Sequence, residues 1–433
     1  MKLFGTMSIK ENELIIGGIG VSELKSKHGT PLYIIDQKGF EDKANLFINN
    51  FKSNTFDTRV IYASKAFMNL SIAKLVSKLG LCIDVVSGGE LYTALKAGFD
   101  PNKIYFHGNN KLYDELVLAV QNRVGTIVVD NEYEYDLLSG ISGEFETVTR
   151  VILRVNPGIE AHTHEYIQTT KNDSKFGLSI FDDKTMDFII KMSSDPNIDF
   201  AGIHCHVGSQ VFDENTFLKE ADEMIKYAKE IENEAQVVFK ELNLGGGFGV
   251  YYTDEDNPFE LGSFLGRYTK HIEHKLSELD LNPEIISIEP GRSLINSYGS
   301  TLYTVGAIKK TMAGLPYVFV DGGMTDNPRP SLYQAKYEAV IANKMDDTDL
   351  ESYRIAGKCC ETGDILIKDA SLANPMPGDL LLISSTGAYN YSMSSNYNRI
   401  PRPEVVFVKD GVSKTAVKRE TYEDLIRNDE VID

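Results

Sequence analysis

Eight short runs of β-branched or aromatic residues between positions 60 and 292 each end in a polar or glycine-containing cluster. The residues at these ends are Lys65, Asp84 with Ser87, His107, Asp130, Arg154 with Asn156, His204 with His206, Gly245–Gly247, and Glu289 with Arg292. An amine, several carboxylates, imidazoles and guanidinium groups are the types that perform covalent and acid–base catalysis. Their repeated position at run ends predicts an enzyme.

The glycines are the most diagnostic of these residues. Gly245–Gly247 follow the seventh run and Gly291 follows the eighth. In barrels of parallel strands, backbone N–H groups after strands seven and eight commonly hold a phosphate. Ser209, after the sixth run, could add its hydroxyl to the same phosphate. A flexible loop is the alternative for the glycines alone, but their position favours a phosphate site.

Lys65 lies in the apolar context of 60–67. Desolvation there would leave an amine unprotonated and nucleophilic, and a Schiff base is the obvious use of such an amine. With the phosphate site and Glu289 at the last run end, this predicts pyridoxal phosphate as cofactor. Lys65 would hold the aldehyde, the glycines the phosphate, and Glu289 the pyridine nitrogen. The alternative is a surface lysine at a strand end.

The histidine pairs leave a second chemistry open. His204 and His206 would face the same way on a strand, and His162 and His164 form another His-x-His pair. This pattern is typical of metal-dependent barrel hydrolases. Such a site would need further ligands and would give no role to Lys65 or to the glycines. We therefore expect no metal.

The run ends must be positioned by alternating strands and helices. Amphipathic stretches such as 70–79, 184–193 and 214–233 separate the runs. Alternation of this kind predicts parallel strands with right-handed crossovers, and eight units over about 230 residues fit a (β/α)8 TIM-like barrel. An open doubly wound sheet fits less well.

The pattern changes after Arg292 to strands separated by turns, which predicts a mainly antiparallel β-domain. The strand-like piece at 11–20 precedes the barrel, and we expect it to join this second domain. We therefore assign residues 31–295 to the barrel and residues 1–30 and 296–433 to the β-domain.

Charge and composition exclude several classes of protein. The 433 residues carry 44 Lys and Arg against 63 Asp and Glu, a net charge of −19, which argues against nucleic-acid binding. The four cysteines have no Cys-x-x-Cys spacing, so reduced thiols in the cytoplasm are expected. We expect no membrane segment, since none of the apolar stretches reaches about 20 residues.

The chain carries a series of longer motifs along its length. They are YASKA (62–66), DVVSGGEL (84–91), HGNNK (107–111), RVNPGIEAHTHEYIQT (154–169), KFGL (175–178), HCHVGSQ (204–210), LNLGGGFG (242–249), EPGRS (289–293), DGGM with RPSLYQA (321–335), CCETGD (359–364) and GAYNYSMSSNYN (387–398). With these motifs the chain resembles the diaminopimelate decarboxylases, within the pyridoxal-phosphate decarboxylases that share the alanine racemase fold (fold type III). The conjunction of the motifs covers nearly the whole chain.

The resemblance implies roles residue by residue. Lys65 is similar to the Schiff-base lysine, His206 to the residue stacked on the cofactor ring, and Glu289 to the partner of the pyridinium nitrogen. Asp84 and Arg154 resemble residues that orient the lysine and Glu289. The phosphate site is implied at Ser209, Gly246, Gly247, Gly291 and Arg292, with Tyr389 closing it. Cys360 resembles the family's proton-handling cysteine.

The resemblance also implies substrate and partner. Arg292, Arg329, Tyr333, Glu361 and Tyr389 match positions that bind meso-diaminopimelate, which would be decarboxylated to L-lysine in the last step of lysine biosynthesis. Two arginines and a glutamate suit the carboxylate and ammonium of the substrate's distal end. In the family Cys360 and Glu361 reach the site from the other subunit, so a homodimer with active sites at its interface is implied.

Three alternatives remain. A decarboxylase of ornithine, arginine or carboxynorspermidine would share the fold, but a substrate without a distal carboxylate would leave buried arginines unpaired. The metal-dependent hydrolase and a catalytically inactive relative are the others. One departure from the family pattern stands out: Thr325–Pro328 replace the hydrophobic or small residues expected before Arg329-Pro330. We expect this to alter the path of that loop.

Overall fold

The computed structural model describes residues 1–159 and 174–432. The strands are β1 (Ser8–Lys10), β2 (Glu13–Ile16), β3 (Ile19–Gly20), β4 (Leu32–Asp36), β5 (Asp57–Ala63), β6 (Cys82–Val85), β7 (Ile104–Phe106), β8 (Thr126–Val129), β9 (Thr149–Asn156), β10 (Leu178–Ser179), β11 (Ile198–His204), β12 (Glu241–Asn243), β13 (Ile285–Ile288), β14 (Gly299–Lys309), β15 (Tyr317–Val320), β16 (Ala339–Ile341), β17 (Leu350–Ala356), β18 (Ile365–Ala373), β19 (Leu380–Ile383), β20 (Glu404–Lys409) and β21 (Val412–Val417).

The helices are α1 (Val21–His28), α2 (Gln37–Asn50), α3 (Leu70–Lys78), α4 (Gly88–Lys96), α5 (Tyr113–Gln121), α6 (Glu132–Glu144), α7 (Asp183–Ser193), α8 (Glu214–Glu234), α9 (Leu261–Glu278), α10 (Arg292–Ile295), α11 (Arg329–Tyr333) and α12 (Tyr422–Ile426). Among the described residues, no helix is both long and apolar enough to cross a membrane.

The chain divides into two compact units. The barrel unit comprises 44–249 and 258–293, and the β-unit comprises 1–43, 250–257 and 294–433. This division differs from the predicted boundaries for 31–43, 250–257 and 294–295. The first difference has a clear cause: residues 31–43 contain β4, and β4 pairs with β14 and β20 of the β-unit.

The barrel unit is a closed ring of parallel strands. In the described residues the order is β5, β6, β7, β8, β9, β11, β12, β13, and β13 pairs with β5. The short β10 pairs with β9 beside the ring. Each ring strand overlaps one of the eight predicted runs, so the predicted (β/α)8 barrel is confirmed.

Polar residues just after the strands start several barrel helices. Asn69 accepts a hydrogen bond from the Ile72 N–H at 3.0 Å, and Asn131 accepts from Glu134 at 3.0 Å. Ser87 caps α4 in the same way, accepting from Glu90 at 3.2 Å. Such caps satisfy the unpaired N–H groups of a first helical turn. The hydroxyl of Ser87 therefore has a structural role.

The β-unit is built on a mixed sheet, ordered β18, β17, β15, β14, β4, β20, β21 in the described residues, with β19 between β14 and β16. Most pairs are antiparallel, while β15 with β17 and β20 with β4 are parallel. Leu14, Ile16 and Ile19 of the 11–20 segment pack in one core with Leu302 and Val406.

One carboxyl group of the barrel unit is buried without a charged partner. Glu220 on α8 is fully buried, and the Cys205 thiol donates to its Oε1 at 2.9 Å. Oε2 has no hydrogen-bond partner in the described part of the chain. Burial raises the pKa of Glu220 to about 8. Glu220 therefore keeps its proton to a higher pH than an exposed carboxyl does.

We predict that Glu220→Gln removes a pH-dependent loss of stability. The unfolded carboxyl ionises above its ordinary pKa of 4.5, whereas the folded one keeps its proton to about 8. The wild type therefore loses stability as pH rises through this window, by up to about 1.4 kcal/mol per pH unit. Urea unfolding between pH 5 and 8 should show that the free energy of unfolding of the variant increases relative to that of the wild type as the pH rises. The exposed Glu230→Gln on the same helix is the control, and parallel pH dependences for all three proteins would contradict the prediction.

Candidate active site

The strand ends of the barrel unit converge on the carboxylate of Glu289, which follows β13. His107 Nε2 lies 2.8 Å from Oε1, and the Asn243 side-chain N–H donates to Oε1 at 2.8 Å. His204 Nε2 lies 3.1 Å from Oε2. Glu289 is buried, with 7% of its surface exposed. Donors from β11, β12 and the end of β7 thus hold one buried anion.

The protonation of this cluster follows from its contacts. Burial alone would raise the pKa of Glu289, but His107 and His204 hold it well below its ordinary value. Burial lowers the pKa of His204 to about 4. The site therefore keeps Glu289 as a carboxylate beside a neutral His204. An anion held in this way is suited to pair with a protonated ring nitrogen.

Asn243 and the role of His107 were missed by the sequence analysis. His107 was noted only as a strand-end residue, and Asn243 lies two residues before Gly245, where the run end that was considered begins. The available signal was strand alternation, which places the Asn243 side chain on the same face of the strand as position 245. Arg154 was expected to orient Glu289. Its positive charge interacts with the carboxylate of Glu289, and its guanidinium carbon lies 4.4 Å from the centroid of the Phe176 ring.

His206 has its ring orientation fixed. Its Nδ1 accepts a hydrogen bond from the Gly246 N–H at 3.2 Å. Burial lowers the pKa of His206 well below its ordinary value, and the charges of Lys65 and Arg154 add to this shift. The imidazole is thus neutral, with its proton on Nε2, and it is tied to the glycine loop.

Lys65 differs from its expected environment. It lies in a short 3-10 turn between the buried Ser64 and Ala66, and its own side chain is exposed. The apolar surroundings read from the sequence belong to its neighbours, which are buried on both sides of it, while the 3-10 turn leaves the Lys65 side chain exposed. The amine still lies within electrostatic range of Asp84, which is buried. Burial raises the pKa of Asp84, while the charges of His107 and Lys65 lower it.

The glycines after β12 are required by close backbone approach. A Cβ on Gly245 would lie 2.3 Å from the Cys205 carbonyl oxygen, and one on Gly246 would lie 2.1 Å from that of Glu289. Gly247 has φ +111°, and its Cβ would lie 2.4 Å from the Gly208 oxygen. Close contact with the neighbouring loops is therefore a reason for these glycines in addition to the expected one, room for an anion. The N–H groups of Gly247 and Gly291 donate to no acceptor in the described residues, which suits an anion site.

Ser209 and Arg292 form a pair in the barrel unit. The Arg292 Nε and Nη2 atoms donate to the Ser209 hydroxyl oxygen at 3.1 and 2.9 Å. Because the oxygen accepts both bonds, the hydroxyl proton remains available to an anionic oxygen. The two residues therefore make a cationic hydrogen-bonding group beside the glycine loop.

In the β-unit, Arg329 lies among tyrosines. It donates to the Tyr252 hydroxyl at 2.8 Å, and its guanidinium lies 5.7, 5.7 and 5.3 Å from the ring centroids of Tyr252, Tyr333 and Tyr389. Arg329 is only 7% exposed and forms no ion pair with any described carboxylate. Sequence analysis did not identify Tyr252. An unpaired buried cation of this kind calls for an anionic ligand.

Cys360 and Glu361 lie on the loop between β17 and β18, and both are exposed. The Cys360 N–H donates to the Asn398 side chain at 2.8 Å. The polar residues that depart from the family pattern are accommodated nearby: Thr325, Asp326 and Asn327 are all buried. Asp326 accepts a hydrogen bond from the Gly323 N–H at 3.0 Å and another from the Tyr303 hydroxyl.

The residues that could hold a metal ion in the described structure differ from the predicted pair, His204 and His206. His107, His204 and Glu289 could place ligand atoms within 4.8 Å of one another, but these atoms already make the hydrogen bonds described above. His206, the second member of the predicted pair, is not in this group. His162 and His164, like most of the motif 154–169, lie outside the described residues.

Comparison with known proteins places the chain. Residues 39–296 match the family described as pyridoxal-dependent decarboxylase, pyridoxal binding domain. The diaminopimelate decarboxylase of Bacillus subtilis is 46% identical, over 99% of this chain and 98% of the relative. That of Staphylococcus aureus is 42% identical, over 98% of this chain and 100% of the relative.

A solved structure extends the likeness to the fold. The diaminopimelate decarboxylase from M. jannaschii, in complex with L-lysine, superposes with a TM-score of 0.92 at 32% identity, covering 99% of this chain and 98% of that one. The chain therefore belongs to the diaminopimelate decarboxylases, a family of pyridoxal-phosphate-dependent lyases with the barrel and β-domain of fold type III.

Proposed function

We propose that this chain decarboxylates meso-2,6-diaminopimelate to L-lysine and CO₂, the last step of lysine biosynthesis. The observation that carries this proposal is Arg329, a buried cation with no carboxylate partner in the described residues. The distal end of diaminopimelate supplies a carboxylate to this group. Ornithine, arginine and lysine have no second carboxylate and would leave Arg329 unpaired, which weakens binding.

The barrel-unit residues fit the cofactor of the family. We propose that Lys65 binds its aldehyde, that Glu289 faces its ring nitrogen and that His206 stacks on the ring. The phosphate would be held by Ser209, Gly246, Gly247, Gly291 and Arg292, while Asp84 and Arg154 orient Lys65 and Glu289. The lowered pKa of Glu289 supports this arrangement, because an ionised carboxylate keeps a ring nitrogen protonated.

When bound, pyridoxal phosphate supplies an electron sink for the charge left at Cα by the loss of CO₂. Glu289 stabilises that sink by remaining anionic, since its donors favour the carboxylate form. Either the Sγ of Cys360 or the Nζ of Lys65 delivers the proton to Cα. Both groups are candidates for this step because both side chains are exposed in the single chain and thus accessible to a bound substrate.

The substrate's distal end would be bound by complementary charges. Arg329 and Arg292 receive the carboxylate, Glu361 receives the ammonium, and Tyr333 and Tyr389 line the same site. The tyrosine rings around Arg329 support this role. They hold the guanidinium plane while leaving its remaining N–H groups for a carboxylate, which it binds in bidentate fashion.

We propose a homodimer in which Cys360 and Glu361 of one subunit complete the site of the other. The exposure of both side chains in the single chain supports this arrangement, because a residue that serves another subunit must be accessible. We place the enzyme in the cytoplasm. The four cysteines, all of them free thiols, are compatible with a reducing compartment.

The function is tested by measuring CO₂ release from meso-diaminopimelate, lysine, ornithine and arginine. We expect release from diaminopimelate alone. Lys65→Ala should abolish both turnover and the visible absorbance of the bound cofactor, because the covalent attachment is lost. Lys78→Ala, an exposed lysine at the end of α3, should change neither quantity. Faster release from ornithine than from diaminopimelate would contradict the proposed substrate.

Arg329→Met should raise KM for meso-diaminopimelate by about 10- to 100-fold, the cost of one or two lost charged hydrogen bonds. Steady-state kinetics measures this change. Arg354→Met is a matched control, because Arg354 also donates to a tyrosine hydroxyl, that of Tyr317 at 2.8 Å, and lies over its ring. An unchanged KM in Arg329→Met would remove this residue from the substrate site.

Gly246→Ala should weaken cofactor binding by at least about 10-fold. Its Cβ would lie 2.1 Å from the Glu289 carbonyl oxygen, so the loop must move and its N–H groups with it. Absorbance titration of the apoenzyme with pyridoxal phosphate measures the effect. Gly266→Ala on α9, where a Cβ meets nothing within 4 Å, is the control. Equal affinities for the two variants would contradict the proposed phosphate site.

A further inference from the structure

Asp364 ends the loop between β17 and β18 in the β-unit and is 3% exposed. We infer that this carboxylate is a positioning residue for two substrate-binding loops at once. The arginine loop, 321–329, carries Arg329, and the cysteine loop, 357–363, carries Cys360 and Glu361. The inference rests on the proposed function, which gives those three residues their roles.

The two loops leave the same edge of the sheet. β15 leads into the arginine loop and β17 into the cysteine loop, and the two strands are parallel neighbours. Phe319 pairs with Ala356 near their ends. Because parallel strands end at the same edge, the loops that follow them start side by side. A group located between them can therefore contact both.

The carboxylate of Asp364 is divided between the loops. Oδ1 accepts a hydrogen bond from the Met324 N–H of the arginine loop at 2.7 Å. Oδ2 accepts one from the Cys359 N–H of the cysteine loop at 2.8 Å. Both bonds are short and charge-assisted, and both are made by a buried carboxylate, for which the loss of either is costly.

The packing around the carboxylate leaves it little freedom. A Cβ on Gly323 of the arginine loop would lie 2.6 Å from Oδ2 of Asp364. A Cβ on Gly357 of the cysteine loop would lie 2.3 Å from Oδ2 and 2.4 Å from the Gly323 Cα. Both loops thus close on Asp364 through glycines, and a shift of either loop would move the carboxylate.

Direct bonds between the loops complete the unit. The Lys358 N–H donates to the Gly322 oxygen at 2.9 Å, and the Ser331 hydroxyl, two residues after Arg329, donates to the Gly363 oxygen at 2.9 Å. The positions of Arg329 and Glu361 are therefore not independent. In the proposed dimer these residues serve different active sites, so Asp364 would set part of two sites from one chain.

The test measures L-lysine binding to the holoenzyme by calorimetry, a readout that needs no turnover. L-Lysine, the proposed product, retains the distal carboxylate and ammonium that Arg329 and Glu361 would bind. The amide of Asp364→Asn has only one oxygen, so one of the two loop N–H groups would face an N–H donor and lose its hydrogen bond. The affinity for L-lysine should therefore fall about 10- to 100-fold. KM for meso-diaminopimelate should rise in parallel, with the cofactor's visible absorbance retained. Asp369→Asn, an exposed residue on β18, is the control.

Double-mutant cycles separate positioning from general destabilisation. The effect of Asp364→Asn on lysine affinity should shrink in an Arg329→Lys background and also in a Glu361→Gln background. An equal effect in all backgrounds, or a reduction in only one of them, overturns the inference. An affinity within twofold of wild type for Asp364→Asn also overturns it. If Asp364→Asn does not fold, Gly357→Ala perturbs the same carboxylate from the cysteine loop and enters the same cycles.

Failure of the proposed function would look different. In that case Arg329→Lys and Glu361→Gln would each leave lysine affinity unchanged by themselves, and the inference would fall together with the substrate assignment. Loss of affinity in both single variants with additive Asp364 effects would instead preserve the proposed function and remove only the positioning role.

Discussion

A buried negative charge organises the barrel unit. A carboxylate out of water is costly unless donors surround it. The donors of Glu289 are His107, His204 and Asn243, which come from different parts of the ring. Only a closed barrel brings these strand ends together, since β13 and β7 are far apart in strand order. The requirement to satisfy one anion therefore links ring closure to the chemistry of the site.

Burial sets the protonation of the imidazoles around this charge. It disfavours a positive charge on His204 and His206, and the charge of Arg154 adds to this effect, whereas the Glu289 carboxylate opposes it. The pKa values of both imidazoles are accordingly lowered. The position of each imidazole in the fold thus sets its protonation state. Active sites use such shifts in pKa to match side chains to acid or base roles.

The sequence predicts the barrel well, because the order of strands and helices and the polar strand ends follow from local patterns. It predicts less well whatever depends on pairing across the fold. The predicted barrel boundary at residue 31 includes Leu32–Asp36, but β4 pairs with β14 and β20, which are distant in sequence. Lys65 reads as buried because its neighbours are apolar, while its own direction is set by a short turn.

The site residues missed by the sequence analysis share a physical cause. Asn243, Tyr252 and Asp364 act through hydrogen bonds to other residues that bind or react, so no spacing in the sequence marks them. The polar Thr325–Asn327 segment is a similar case. In sequence it departs from the expected apolar pattern, yet in the fold its residues are buried and hydrogen-bonded, and Arg329 follows directly.

The proposed site residues of the barrel unit and of the β-unit are held in position by different kinds of interaction. The cofactor-binding residues proposed in the barrel unit lie at strand ends that the ring fixes, and glycines with no room for a Cβ hold the loops between them. The substrate-binding residues proposed in the β-unit lie on hairpin and helix-start loops that a few hydrogen bonds hold. Replacing Arg329 or Glu361 leaves the donors of Glu289 unchanged. Substrate preference can therefore change through loop residues while the electron-sink chemistry of the barrel is kept, provided that a group such as Asp364 still sets the two loops together.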